Sequence, residues 1–346
     1  MHHIERYLGP GLPVARIHKV DDMHSDVACL GLDISKATID CALLKDGKVR
    51  MKTYENSVSG FERLSDWLKQ RGAIQCHAAC EATGTYWEGV ALWLHERGHG
   101  VSVINPAQLH AYAQSQLSRT KTDRQDAKLI AQFCAERQPP AWTPPPVEER
   151  ELLALVRDLQ ALQAMRIAES NRLPTAHASI QPRIERHLAF LDAEIDALLE
   201  RIKDHIDKND GLKQRRDLLD SIPAVGDKTI PWLLAYLSDG QRFAGSKQAV
   251  AFAGLNPRHW ESGTSVKGKP RISKIGQADL RHALYMPAVV AYSRVEAFKP
   301  FVRRLKAAGK APKVIIVALM RKLLAIAQAV LKSGVPFNPQ LHTQNS

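Results

Sequence analysis

Val-Ala-Cys-Leu-Gly-Leu-Asp at 27–33 is an apolar run that stops on a carboxylate, and Gln-Cys-His-Ala-Ala-Cys-Glu at 75–81 repeats the pattern. Each reads as a buried strand whose last side chain is an acid. A carboxylate at the end of a buried strand is costly unless a cation or hydrogen bonds compensate it. A third segment, Lys-Thr-Asp-Arg-Gln-Asp-Ala at 121–127, sets Asp123 and Asp126 three apart, on one face of a helix. Asp33, Glu81, Asp123 and Asp126 would together supply hard oxygen donors from two strands and one helix. Such a set suits Mg²⁺, with Mn²⁺ as a substitute, and serves phosphoryl transfer.

The segments around these acids define the fold class. Residues 38–44 and 49–54 are strand-like and are joined by Lys45-Asp46-Gly47-Lys48, a strong hairpin signal. Residues 57–70 place Phe61, Leu64, Trp67 and Leu68 at helical spacing. A helix over 86–97 ending at Gly98, a strand over 100–104, a helix opened by Pro106 and another over 122–137 complete the series. Three strands followed by alternating helix and strand predict an α/β domain with a mixed sheet over 25–138, preceded by an N-terminal extension (1–24). The proline-rich 139–146 is a stiff, extended linker. Residues 147–210 are helix-forming, and Pro174 and Pro182 divide them into two helices. Their stripe of Leu188, Leu191, Ile195, Leu198, Leu199 and Ile202 fits a coiled coil or an intramolecular helix pack. A mainly α C-terminal domain follows over 211–337, then a tail, 338–346. Within it, 218–237 reads as a helix-hairpin-helix that offers backbone N–H groups to a DNA phosphate. Ala224 stands where the first glycine of that turn is usual, so an ordinary helix–turn–helix packing element is the competing reading.

At 346 residues, 45% hydrophobic and 24% charged, the chain has the composition of a soluble two-domain protein. No uninterrupted apolar stretch reads as a membrane span, and residues 1–22 lack the apolar core of a secretory signal. Met23 is an alternative start, which would make 1–22 a dispensable tail. Five cysteines, odd in number and in apolar surroundings, argue against zinc and disulfides and for a reducing, cytoplasmic setting. The net charge of +12 is uneven: residues 211–346 hold 22 Lys and Arg against 7 Asp and Glu, whereas 1–210 hold 26 against 29. The basic C-terminal part suits a polyanion.

Residues 258–274 are rich in hydroxyls, glycine and positive charge. Arg258, Lys267, Lys269, Arg271, Lys274 and, further on, Arg281 are candidates to hold phosphates, and Gly263 and Gly268 permit close backbone approach. Trp260 either stacks on a base or packs in a core. Ser262, Ser265 and Ser273 are rival nucleophiles that spacing does not separate. His259 could act as a base, but no carboxylate is placed to orient it, which disfavours a hydrolase-like triad.

In order along the chain, Gly-Leu-Asp-Ile-Ser-Lys (31–36), Cys-Glu-Ala-Thr-Gly-Thr-Tyr (80–86), Val-Ile-Asn-Pro (103–106), the 121–127 motif, Phe-Ala-Gly-Leu-Asn-Pro-Arg (252–258), Glu-Ser-Gly-Thr-Ser-Val-Lys-Gly (261–268) and Arg-Ile-Ser-Lys-Ile-Gly-Gln-Ala-Asp-Leu-Arg (271–281) resemble the DEDD-type transposases of bacterial insertion sequences, also known as bridge-RNA-guided recombinases. The resemblance spans about 27–337. It implies an RNase H-like N-terminal domain of the kind found in Holliday-junction resolvases, a coiled-coil linker and a C-terminal transposase domain. It also implies that Asp33, Glu81, Asp123 and Asp126 form the metal-binding tetrad and that Ser262 is the catalytic serine. Its implied partners are donor and target DNA, a structured guide RNA encoded by the element, and further copies of the chain as a dimer or tetramer. Two other functions compete. One is a junction-resolving nuclease that uses the acids and water, and the other a non-catalytic nucleic-acid-binding protein.

Overall fold

Antiparallel strands β1 (Ala28–Ile34), β2 (Thr38–Lys45) and β3 (Lys48–Glu55) open the fold. Asp46 and Gly47 alone turn β2 into β3, both at positive φ (51° and 69°), the backbone that suits a twisted hairpin. Ser57 caps α1 (Val58–Gln70), its side chain accepting from the Gly60 N–H. The chain then returns as β4 (Cys76–Glu81), parallel to β1; α2 (Glu88–Glu96) leads to β5 (Gly100–Ile104), parallel to β4. Helices α3 (Pro106–Ser115) and α4 (Asp123–Arg137) complete the first unit. The sheet order β3-β2-β1-β4-β5 is the mixed arrangement expected from the sequence. This computed structural model describes residues 27–82, 84–116, 122–258 and 271–340, and the backbone alone of 261–262 and 266–267. The expected N-terminal extension and the end of the tail lie outside the described residues.

Period-two alternation assigns the two sheet faces. Leu30, Leu32, Cys41, Leu43, Ala78 and Cys80 pack against α1 and α2. Cys29 and Ala79 pack with residues of α3 and α4, and Ala42 meets Ala127 and Ala131 of α4. All five cysteines are buried and free. The linker does not hang loose at its start. Ser102 Oγ lies 3.0 and 2.8 Å from the Pro139 and Pro140 carbonyls, and the Trp142 N–H donates to Val101 O (2.6 Å), which covers the edge strand β5.

The chain divides into compact units at 1–143 and 144–346. In the second, α5 (Val147–Arg172) and α6 (Gln181–Asp207) run antiparallel, paired through Arg166–Asp192 and Glu169–His187. The predicted stripe is buried at Leu191, Ile195, Leu198 and Ile202; Ile195, Leu198 and Ile202 share one core with the helices that follow. These are α7 (Asp210–Asp220), α8 (Ile230–Leu237), α9 (Ser246–Phe252), α10 (Ala278–Arg294), α11 (Lys299–Ala307) and α12 (Pro312–Ser333). By length and composition alone α12, although interrupted by Arg321 and Lys322, could cross a bilayer; 67% of its apolar window is buried inside the protein, where it packs as the central core helix. Ala224, in the turn between α7 and α8, takes the left-handed conformation (φ 74°) for which glycine is the usual choice.

Glu149 fastens α5 into this unit. Its side chain is 1% exposed, and Oε1 accepts from Arg215 Nη1 (2.5 Å) and Ser238 Oγ (2.9 Å). Its charge also faces Arg242, whose buried guanidinium is lowered from its ordinary value, first by burial. Glu149→Ala would strand two cations, so it should destabilise the second unit by about 3–5 kcal/mol. Calorimetry should show that unit's transition falling while the first unit's holds; an unchanged transition would reject the hub role.

Candidate active site

Strand register brings the sequence-predicted acids together. Leu32 pairs with Cys80 across the parallel β1–β4 ladder, so Asp33 and Glu81 are neighbours at the same end of adjacent strands. Gly31 faces α4, where an added Cβ would lie 2.1 Å from Ala127 O and 2.4 Å from Ala131 N. Asp33, two residues on, shares that face. Glu81 shares it likewise with Ala79, which packs beside α4. Helix α4 starts at Asp123, with Thr122 as its cap accepting from Gln125 N, and both Asp123 and Asp126 lie in its first turn. Carboxylates are favoured there by the helix dipole and amides.

Asp33 registers the gathering. Its carboxyl is pushed up to about 6, first by burial and then by the fields of Asp126, Asp123, Asp40 and Glu81. Asp40 was not singled out from the sequence. It pairs with Asp33 across the β1–β2 hairpin and is held by Thr53 Oγ1, which donates to its Oδ1 (2.5 Å). The signal that could have found it is the register of the tight hairpin. The acids come within electrostatic reach, yet among the described residues no three His, Cys, Asp or Glu side chains converge closely enough to hold a metal ion. The donor chemistry, all carboxylate oxygen, fits a hard divalent cation.

An acid whose proton is held more tightly in the folded state loses stability as pH rises between its unfolded and folded values. For Asp33 that window runs from 3.8 to about 6. Asp33→Asn should therefore stabilise the protein above pH 6 by about 1 kcal/mol, a figure discounted for its solvent-facing side, with no gain near pH 4. Melting curves across that range check the sign.

The serine candidates lie in the second unit. Short ladders pair Pro257–Arg258 (β6) with Arg271–Ile272 (β9), and Glu261–Ser262 (β7) with Val266–Lys267 (β8). Ser262 thus sits on the backbone of a hairpin opposite Val266, in the chain segment between the two strands of the β6–β9 stem. Arg258 stands opposite Arg271 across this ladder. Ser273 is tied down: its Oγ bonds Asn256 Oδ1 (2.7 Å) and its N–H donates to Asn256 O. Lys274 has a left-handed backbone (φ 57°), with its N–H donating to Gly254 O at the stem's base. Arg281 is half-buried, and its Nη1 donates to the carbonyls of Ala253 and Gly276, which gives it a bracing role not expected from the sequence. His259, Trp260, Gly263, Ser265, Gly268 and Lys269 lie outside the described residues, as do the side chains of Ser262 and Lys267.

Comparison with known proteins identifies the family. A DEDD transposase family model matches residues 30–182, and the model of the IS116/IS110/IS902 transposase family matches 216–303. The chain is 38% identical to the pilin gene-inverting protein of Moraxella bovis over 316 residues, 90% of this chain and 98% of that one. A protein of the same name from Moraxella lacunata is 37% identical over the same length. The transposase for insertion sequence element IS1328 of Yersinia enterocolitica is 25% identical over 284 residues, 72% of this chain and 82% of that one.

Proposed function

The chain belongs to the IS110 family of transposases, enzymes that cut and rejoin DNA strands, and from that premise we propose that Ser262 is its nucleophile and that Asp33, Glu81, Asp123 and Asp126 hold Mg²⁺. What supports the metal site is that β1, β4 and α4 bring their acids within electrostatic reach of Asp33, in a mixed sheet of order β3-β2-β1-β4-β5. A divalent cation held there would offset charge on the scissile phosphate. Ser262 Oγ attacks phosphorus, the Oγ–P bond forms as the backbone P–O bond breaks, and the departing oxygen takes up a proton as a free hydroxyl. The phosphoserine keeps the bond energy, so the hydroxyl of another strand rejoins DNA by the reverse step, with no nucleotide cofactor. Arg258, Lys267, Lys269, Arg271 and Lys274 offset phosphate charge around the serine, while Arg281 braces the stem. The same exchange inverts a segment or inserts one, depending on how the recombining sites are arranged; the Moraxella relatives are named for inversion and the Yersinia relative for transposition. A structured guide RNA, a dimer or tetramer of the chain, and action in the cytoplasm complete the reading.

Metal titration tests it. Mg²⁺ or Mn²⁺ should raise the melting temperature of the wild type at pH 7.5, and Asp33→Asn or Asp126→Asn should abolish both that rise and Mg²⁺-dependent strand cleavage. Equal metal stabilisation of the variants would remove the acids from the site.

A further inference from the structure

The edge strand β3 carries Lys48, Arg50 and Lys52 at alternate positions. Their partners on β2 are Lys45, Leu43 and Cys41. Cross-strand partners share a face, and Leu43 and Cys41 point toward α1, so the three cations line the outer border of that face. Alternate residues on a strand stand about 7 Å apart, comparable to successive phosphates along one nucleic-acid strand. None of the three forms an ion pair with a described residue. The cations around them are already engaged: Arg63 with Glu55 (3.0 Å), Lys69 with Asp66 (3.7 Å), and Lys45 Nζ with the Arg71 and Gly72 carbonyls.

Past Lys52 the row borders a groove of about 520 Å³ whose lining holds Lys52 and Arg63 together with the acids Glu55 and Asp66, both already paired to cations. Tyr54 is 5% exposed, its hydroxyl sealed from solvent. Lys52 Nζ lies 5.3 Å from the Tyr54 ring centre, a cation–π contact that holds the ammonium on this face.

We propose that the β3–α1 face is a second DNA contact, a rail on which Lys48, Arg50 and Lys52 take successive backbone phosphates. The active-site acids occupy the opposite face of the same sheet, so this rail holds flanking DNA around the β3 edge, away from the reacting phosphate. It rests on the DNA substrate argued above, though not on Ser262 or the metal. Cations on an edge strand also deter strand pairing between molecules, and the two roles give different results.

Binding of the full-length protein to a labelled mixed-sequence DNA duplex, measured with chelator present over a salt series, separates them. Chelation silences the chemistry, so failure of the serine mechanism would leave this measurement intact. Lys48→Gln/Arg50→Gln/Lys52→Gln should weaken binding at least tenfold at low salt and reduce the slope of log affinity against log salt by about 2–3. Restoring charge with Lys48→Arg/Lys52→Arg should keep the slope. If the triple variant aggregates, Lys52→Gln alone should still lower the slope by about 1. An unchanged slope in Lys52→Gln would overturn the rail, and so would a loss seen only with an RNA duplex while DNA binding stays intact.

Discussion

Ser262→Ala should bind DNA within about twofold of the wild type and form no covalent protein–DNA species, a loss of at least about 10³-fold in adduct yield. The reasoning is chemical. An unperturbed hydroxyl is a weak nucleophile, and alanine offers none, while the basic side chains that hold the backbone are untouched. Of the rivals with a described side chain, Ser273 has its hydroxyl bonded to Asn256 and its backbone pinned to the stem. Labelled DNA interrupted by a nick, which traps a covalent intermediate, would be resolved on a denaturing gel. An undiminished adduct in Ser262→Ala would end the serine's role. Strand cleavage by the wild type without any denaturation-resistant species would instead favour water as nucleophile and a junction-resolving nuclease.

Gly31→Ala should be nearly as damaging, although the residue carries no chemistry. The new methyl group would collide with backbone atoms of α4 at 2.1 and 2.4 Å, and backbone yields only if the whole helix retreats. We expect about 3 kcal/mol of lost stability, and in the surviving fold a drop in strand cleavage of about 10²-fold, because a shift of roughly 1 Å in catalytic groups costs that much. Asp123 and Asp126 ride on the displaced helix, so the Mg²⁺-induced rise in melting temperature should shrink in parallel. Cleavage at wild-type rate in a folded Gly31→Ala protein would show that the close seat of α4 on β1 is dispensable.

Much of this was legible in the chain. Asp33 and Glu81 announced themselves by ending apolar runs, Asp46-Gly47 marked the hairpin, and the prolines at 174 and 182 marked the joint between α5 and α6. Less visible were features that depend on who faces whom. Asp40 is an unremarkable acid in sequence and joins the cluster only through its register with Asp33. The saddle of Gly31, Ala42, Ala127 and Ala131, which seats α4, involves side chains too small to stand out in a hydrophobic pattern. Arg281 reads as a phosphate ligand by charge alone, and only the nearby carbonyls of Ala253 and Gly276 reveal its bracing. Helix α12 shows no unbroken apolar run because Arg321 and Lys322 fall in its middle, although Lys322 is itself buried beside Leu319, Leu323 and Ile326 in the core.

The placement of the thiols has an experimental use. Every cysteine of the chain falls between positions 29 and 134, and all five are shielded from solvent. Alkylation rate therefore reports opening of the α/β unit alone, whatever the helical unit does. A brief pulse of iodoacetamide with mass readout would measure how DNA or magnesium tightens one half of the enzyme, with no label to engineer.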